Sequence, residues 1–198
     1  MDGLGSNIEI HTRGSDVLRI LPRVNEEVNE EWISDKTRHA FDGLKKQRLT
    51  YPMSRQADGT FKELTWEEAM EIAKNKLIKT DPKKICGMVG NFVDVEGITA
   101  YRDLMYKLNV DALDVRKNAP RLENDFRAQY VFNSRVIGID ETDLLIIVGS
   151  NPRTENPVLN ARIRSMVSKN GLQVYFLGSA PDITYKYQHL GNSTSVLE

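Results

Sequence analysis

Five consecutive aliphatic residues, Leu144 to Val148, run directly into Gly149-Ser150-Asn151-Pro152, and an amphipathic stretch from Pro157 to Lys169 and a second apolar run from Gln173 to Leu177 follow. This order limits the chain more than any other feature. A short aliphatic run with no alternation is a strand covered on both faces, and a helix between two such strands carries the chain back to lay them parallel. The spacing therefore predicts α/β architecture.

Upstream patterning extends the same layer. Thr65-Trp66-Glu67-Glu68 has capping-box spacing and opens a helix with Trp66, Ala69, Met70, Ala73 and Leu77 on one face. A strand is expected over Lys84 to Val89, a helix over Glu96 to Leu108, and a short strand over Asp111 to Val115, with 111–142 otherwise weakly patterned. Met70, Met105 and Met166 are expected in the core. Residues 56–198 thus predict a partial doubly wound parallel α/β domain.

The N-terminal part, 1–55, reads differently. Asn7 to Thr12 and Asp16 to Leu21 alternate around Arg13-Gly14-Ser15, which predicts a β-hairpin ended by Pro22. A short helix is expected over Asp35 to Leu44 with Asp35 as N-cap, and Tyr51-Pro52-Met53 with the Ala57–Thr60 turn marks the boundary near residue 55.

Composition narrows the function classes. With 198 residues and 40% apolar content, the chain can bury one core and a smaller appended unit. Lys plus Arg at 27 against Asp plus Glu at 28 provides no basic footprint for nucleic acid or an anionic membrane. No apolar run approaches the roughly 20 residues that cross a bilayer. The N-terminus shows neither a secretory nor a mitochondrial targeting pattern.

Metal chemistry is poorly supplied. The single cysteine, Cys86, cannot ligate a cluster or a structural zinc alone, and in KICGMVG it reads as a small core hydrophobe. His11, His39 and His189 are scattered. Glu26, Glu27, Glu30 and Glu31 would pair on a helical face, but beside Lys36, Arg38, Lys45, Lys46 and Arg48 they read as a solvated or partner-docking surface, with Trp32 as its anchor. The one cofactor-binding candidate is Gly149, Ser150 and Asn151, where a phosphate would meet free N–H groups at the carboxyl end of a strand.

The stretches GSNIEIHTRG, VLRILPR, VNEEVNEEWISDKTRHAFDGLKKQRL and DLLIIVGSNPRTENPVLNARIR together resemble the large iron–sulfur subunit, often called the seventy-five-kilodalton subunit, of proton-pumping NADH:ubiquinone oxidoreductase, respiratory complex I. The resemblance spans most of the chain and corresponds to the middle of that subunit. It implies that residues 1–55 are a remnant of a 4Fe-4S Mo/W bis-MGD-type domain, and that 56–198 belong to a molybdopterin-oxidoreductase-like domain. Related domains carry a cysteine near the position held here by Ser34, so the resemblance implies a unit without its cluster. It likewise implies that Gly149, Ser150 and Asn151 are a vestigial pterin-dinucleotide turn, with no catalytic or metal residue in the chain.

The expected function is then a non-catalytic scaffold of the complex I peripheral arm, supporting electron transfer from NADH to ubiquinone coupled to proton pumping. Iron–sulfur clusters are expected on the ferredoxin-like front end or on partner chains. Expected partners are that front end, the NADH-oxidising flavoprotein, and the arm subunits of the forty-nine- and thirty-kilodalton types. The expected location is the matrix face of the mitochondrial inner membrane, or the cytoplasmic face in a bacterium. One alternative is a pterin-dinucleotide-binding molybdenum or tungsten oxidoreductase fragment. Another is a free nucleotide-binding module using Asp94 or Asp114. A doubly wound sheet ending at Glu198 also predicts that the isolated chain aggregates.

Overall fold

The computed structural model describes residues 3–90, 92–115 and 125–197, with mixed helices and strands of the α/β class. Part of the weakly patterned stretch 111–142, residues 116–124, lies outside the described residues. The chain divides into two compact units, Met1–Gln47 with Tyr130–Glu198, and Arg48–Gln129.

In the first unit, β1 (Ile8–Arg13) and β2 (Asp16–Pro22) form the expected antiparallel hairpin, with a register shift between His11 and Thr12. Gly14 takes φ +60° in the turn, a conformation that disfavours a side chain. The following helix α1 (Asp35–His39) is shorter than expected, and Ala40–Leu44 tightens into a 3₁₀ turn. Its N-cap is Ser34 rather than Asp35. Ser34 is extended and its Oγ accepts the Thr37 N–H at 3.2 Å, while Asp35 sits in the first turn, where its charge suits the helix dipole.

The core of this unit lies in its second segment. β7 (Leu144–Val148), β8 (Gln173–Leu177) and β9 (Gln188–Gly191) form a parallel sheet in that order, and α5 (Pro157–Asn170) connects β7 to β8. Ile139, Ile163, Met166, Leu172, Val174 and Tyr185 form the buried cluster, against which Leu145 and Ile147 pack. α5 begins at Pro157, whose missing N–H costs nothing there, and stops at Gly171 in the left-handed region.

Coverage of β7 differs from expectation. Leu144, Ile146 and Val148 remain 48%, 51% and 55% exposed, so one face is covered, not two. The strand sits at a sheet edge, paired among the described residues with β8, and alternation sends every second side chain outward.

The second unit contains a hairpin that the turn signal alone did not foresee, β3 (Met53–Arg55) against β4 (Phe61–Glu63). Helix α2 (Trp66–Lys79) starts on the expected capping box: Thr65 Oγ1 accepts the Glu68 N–H at 3.2 Å, and the Thr65 N–H donates to Glu68 Oε2 at 2.9 Å. Its apolar stripe is not core, however. Trp66 and Met70 are 68% and 66% exposed.

The expected strand over Lys84 to Val89 contracts to β5 (Gly87–Met88), because Pro82–Lys84 forms a 3₁₀ turn capped by Asp81. β5 pairs in parallel with β6 (Leu113–Asp114), and α3 (Val95–Lys107) lies between them in sequence, capped by Asp94, with Met105 buried as expected. Cys86 is exposed, contrary to its reading as core. Gly87 takes the inward position instead, where an added Cβ would meet Leu113 Cδ2 at 2.7 Å.

Candidate functional site

The turn after β7 is built by two close approaches. Gly149 adopts φ +64° and its N–H donates to Leu177 O at 2.8 Å, which carries the β7–β8 ladder one residue past the strand. Gly178 ends β8 at φ +124°, and a Cβ there would lie 3.4 Å from Gly149 Cα. The strand ends converge as a ligand-binding α/β edge requires.

Several donors of that turn are nevertheless occupied. Ser150 Oγ–H donates to Glu155 Oε2 at 2.7 Å, and the Asn151 N–H donates to Glu155 Oε1 at 3.0 Å. Asn151 Oδ1 accepts the Arg153 N–H at 3.1 Å, and Pro152 has no N–H to offer. The Asn151 and Ser150 bonds hold the Glu155 carboxyl below the usual carboxylate range. A fixed negative charge thus stands where a phosphate would stand. The following helix, α4 (Pro152–Glu155), has only one turn and supplies little dipole. The Glu155 carboxylate thus takes two of the donors, the Ser150 hydroxyl and the Asn151 N–H, that a phosphate at this turn would use.

Glu155 is the functional residue that the sequence pattern does not single out. Its signal was a carboxylate four residues beyond Asn151, close to the spacing by which acidic side chains satisfy helix-start donors.

Ser34 has a similar fate. It is buried, its Oγ caps α1 and lies 3.0 Å from Thr37 Oγ1, and residues 1–42 contain no cysteine. Among the described residues no group of three His, Cys, Asp or Glu side chains is placed to hold a metal. The donor set at Ser34 does not fit an iron–sulfur cluster.

The acidic run is not helical as its spacing suggested. Asn25 bridges Glu30, Glu30 takes φ +50°, and Asn29, 1% exposed, holds the loop from within. Its Oδ1 accepts the Asn7 N–H at 2.9 Å, and its Nδ2 donates to the carbonyls of Arg23, Glu30 and Trp32. Arg162, buried at 6% exposure on α5, ties this loop to the core. Its Nε and Nη2 donate to Asp140 Oδ1 and Oδ2, both at 2.8 Å, and Nη2 also donates to Glu26 O at 2.9 Å. The Arg162 bond holds the Asp140 carboxyl low and raises the guanidinium in turn. Glu26, Glu27 and Glu31 face solvent, and Trp32 is exposed beside them.

A cleft of about 420 Å³ brings part of both regions together, lined among others by Trp32, Ser34, Lys36, Arg153, Glu155 and Val158. Gly149, Ser150 and Asn151 do not line it.

Known proteins resemble the chain along its whole length. The molybdopterin oxidoreductase family model matches residues 48–198, and the model described as NADH-ubiquinone oxidoreductase NDSU1/NuoG-like, 4Fe-4S domain matches residues 1–42. The chain is similar, at 39% identity over 99% of its length, to the mitochondrial NADH dehydrogenase [ubiquinone] iron-sulfur protein 1 of Solanum tuberosum, covering 27% of that protein. It is similar at 43% identity to the mitochondrial NADH-ubiquinone oxidoreductase 78 kDa subunit of Neurospora crassa, with 100% of the chain and 27% of the relative covered. It is also similar at 41% identity to the NADH-ubiquinone oxidoreductase 75 kDa subunit of Reclinomonas americana, with 99% and 30% covered. The chain therefore spans less than a third of the length of these relatives. It belongs to the molybdopterin oxidoreductase family, and the relatives it matches at about 40% identity are subunits of NADH-ubiquinone oxidoreductase.

Proposed function

We propose that the chain is a non-catalytic scaffold segment of the complex I peripheral arm, supporting electron transfer from NADH to ubiquinone and the proton pumping coupled to it. The observation that carries this reading is Glu155, whose carboxylate takes the Ser150 hydroxyl and the Asn151 N–H, two of the donors that a cofactor phosphate would use. Gly149, Ser150 and Asn151 are then a relic of a cofactor turn. Ser34 as a helix cap supports the same view of the N-terminal segment.

Residues 1–55 are a cluster-free remnant domain in this reading, and 56–198 are part of a doubly wound parallel α/β domain. The work of the segment is positional, because a rigid frame fixes the separations across which electrons pass. The clusters reside on the ferredoxin-like part of the subunit or on partner chains. Its neighbours are the NADH-oxidising flavoprotein and the arm subunits of the forty-nine- and thirty-kilodalton types. It lies peripherally on the matrix side of the mitochondrial inner membrane, or on the cytoplasmic face in a bacterium; among the described residues no helix is long and apolar enough to cross a membrane.

Affinity isolation from native membranes, with subunit identification and metal and phosphorus analysis of one sample, tests the reading. Recovery with flavoprotein and arm subunits, with iron accounted for by partners, is expected. Stoichiometric molybdenum, tungsten or organic phosphate on the chain alone would overturn it.

A further inference from the structure

The scaffold reading leaves one polar groove of the first unit without a role. It has a volume of about 480 Å³ and is lined by Arg153, Asn160, Arg164, Ser165, Ser168 and Thr184, among others. We propose that this groove receives an acidic segment of a neighbouring protein in the assembled arm, an inference that rests on the scaffold reading and adds the chemistry of one contact to it.

Helical spacing creates the groove. Asn160, Arg164 and Ser168 recur every fourth residue along α5, with Ser165 beside them, so one stripe of the helix carries them all. From Asn160 to Ser168 the stripe is about 12 Å long at the α-helical rise, enough for three or four residues of an extended chain. The two serines have short side chains and let a partner backbone come close.

The charge balance selects the partner. Arg164 is exposed and makes no ion pair or hydrogen bond among the described residues. Arg153 uses only Nη1, which donates to Asp182 O at 2.7 Å and to Asp182 Oδ2 at 2.8 Å. Its Nε and Nη2 remain open among the described residues, and Asp182 itself is 97% exposed at the rim. The nearby Glu155 carboxylate is engaged by Ser150 and Asn151. Two guanidinium forks and three hydroxyls therefore face the groove against one peripheral carboxylate. Guanidinium forks match carboxylates in pairs, and an acidic chain gains both steering and register from them. The groove is too open to enclose a small anion, whereas an extended segment spans it.

The test uses the whole subunit expressed in its own membranes with Arg164→Lys, which keeps the charge and adds an amine. Zero-length carbodiimide coupling followed by peptide mass spectrometry should join the introduced amine to an Asp or Glu of a different polypeptide. Arg164→Glu should raise loss of the subunit from washed membranes roughly fivefold, the effect of about 1 kcal/mol, with its circular dichroism unchanged. Coupling only to Asp182, to Glu155 or to a second copy, no coupling, or unaltered retention of Arg164→Glu would each overturn the inference. Failure of the unmutated subunit to co-purify with the arm would sink the scaffold reading instead, so the two failures are distinct.

Discussion

Replacing Arg162 by methionine removes a buried side chain that hydrogen-bonds α5 to the loop before Trp32. The guanidinium side chain is 5% exposed and makes paired 2.8 Å bonds to Asp140, a 2.9 Å bond to Glu26 O and a longer one to Val28 O at 3.4 Å. Removing one member of a fully buried ion pair costs about 3–5 kcal/mol, chiefly through the charge left behind. The Asp140 side chain is 34% accessible, so water recovers part of that loss, and the lower end applies. The stranded Glu26 carbonyl adds about 1 kcal/mol, less whatever water it regains as the loop opens. A net loss of about 3 kcal/mol follows. Equilibrium urea unfolding measures it, and hydrogen exchange locates it: the Asn29 and Glu30 amides, which donate to Asn25 O, should lose protection before the amides of β8. Arg162→Met with Asp140→Leu should recover much of the loss. A deficit under about 1 kcal/mol, or unchanged exchange over residues 25–32, refutes the reasoning.

Acid should act through the same pair. The folded state holds the Asp140 carboxyl low through Arg162, so below the unfolded carboxylate value of about 3.9 the unfolded chain binds more protons and stability falls with pH; Asp140→Asn should flatten that acid limb in urea titrations. At the alkaline end burial pushes the Tyr185 hydroxyl up to about 12, while it donates to Asn160 Oδ1 at 2.9 Å. Stability from that group is complete below the unfolded value of about 10 and is lost as pH rises towards 12, with Tyr185→Phe removing the matching step from the tyrosinate absorbance titration. Thr65→Ala should cost about 1 kcal/mol and fray the first turn of α2, visible as faster exchange at Glu68. The isolated chain should self-associate through the outward residues of β7, so that Ile146→Lys lowers light scattering; equal scattering from both would count against that face.

The sequence was most readable where a local pattern and its tertiary use coincide. The βαβ order of β7, α5 and β8, the capping box of α2 and the Gly14 hairpin each depend on neighbours close in the chain. β9 was silent, because Gln188–Gly191 has one aliphatic residue and becomes a strand by pairing with β8. Coverage was misjudged for a related reason: an aliphatic run states what Leu144–Val148 tolerates, not what lies against each face. Residue type alone assigns Cys86 and Met70 to the interior, yet both are exposed. In the candidate site Gly149 was visible through its strand-to-helix context, whereas Glu155 depended on a side chain turning back on its own turn. Nothing local announces that Arg162 meets Val28, 134 positions earlier.

That separation also sets a schedule for synthesis. Arg162 leaves the ribosome about 7–27 s after Val28, 134 positions earlier, at ordinary translation rates of roughly 5–20 residues per second. Throughout that interval the Glu26 and Val28 carbonyls lack the guanidinium that closes the loop, and all of Arg48–Gln129 emerges in between. The loop over residues 25–32 therefore gains its last hydrogen bonds only after α5 has been made.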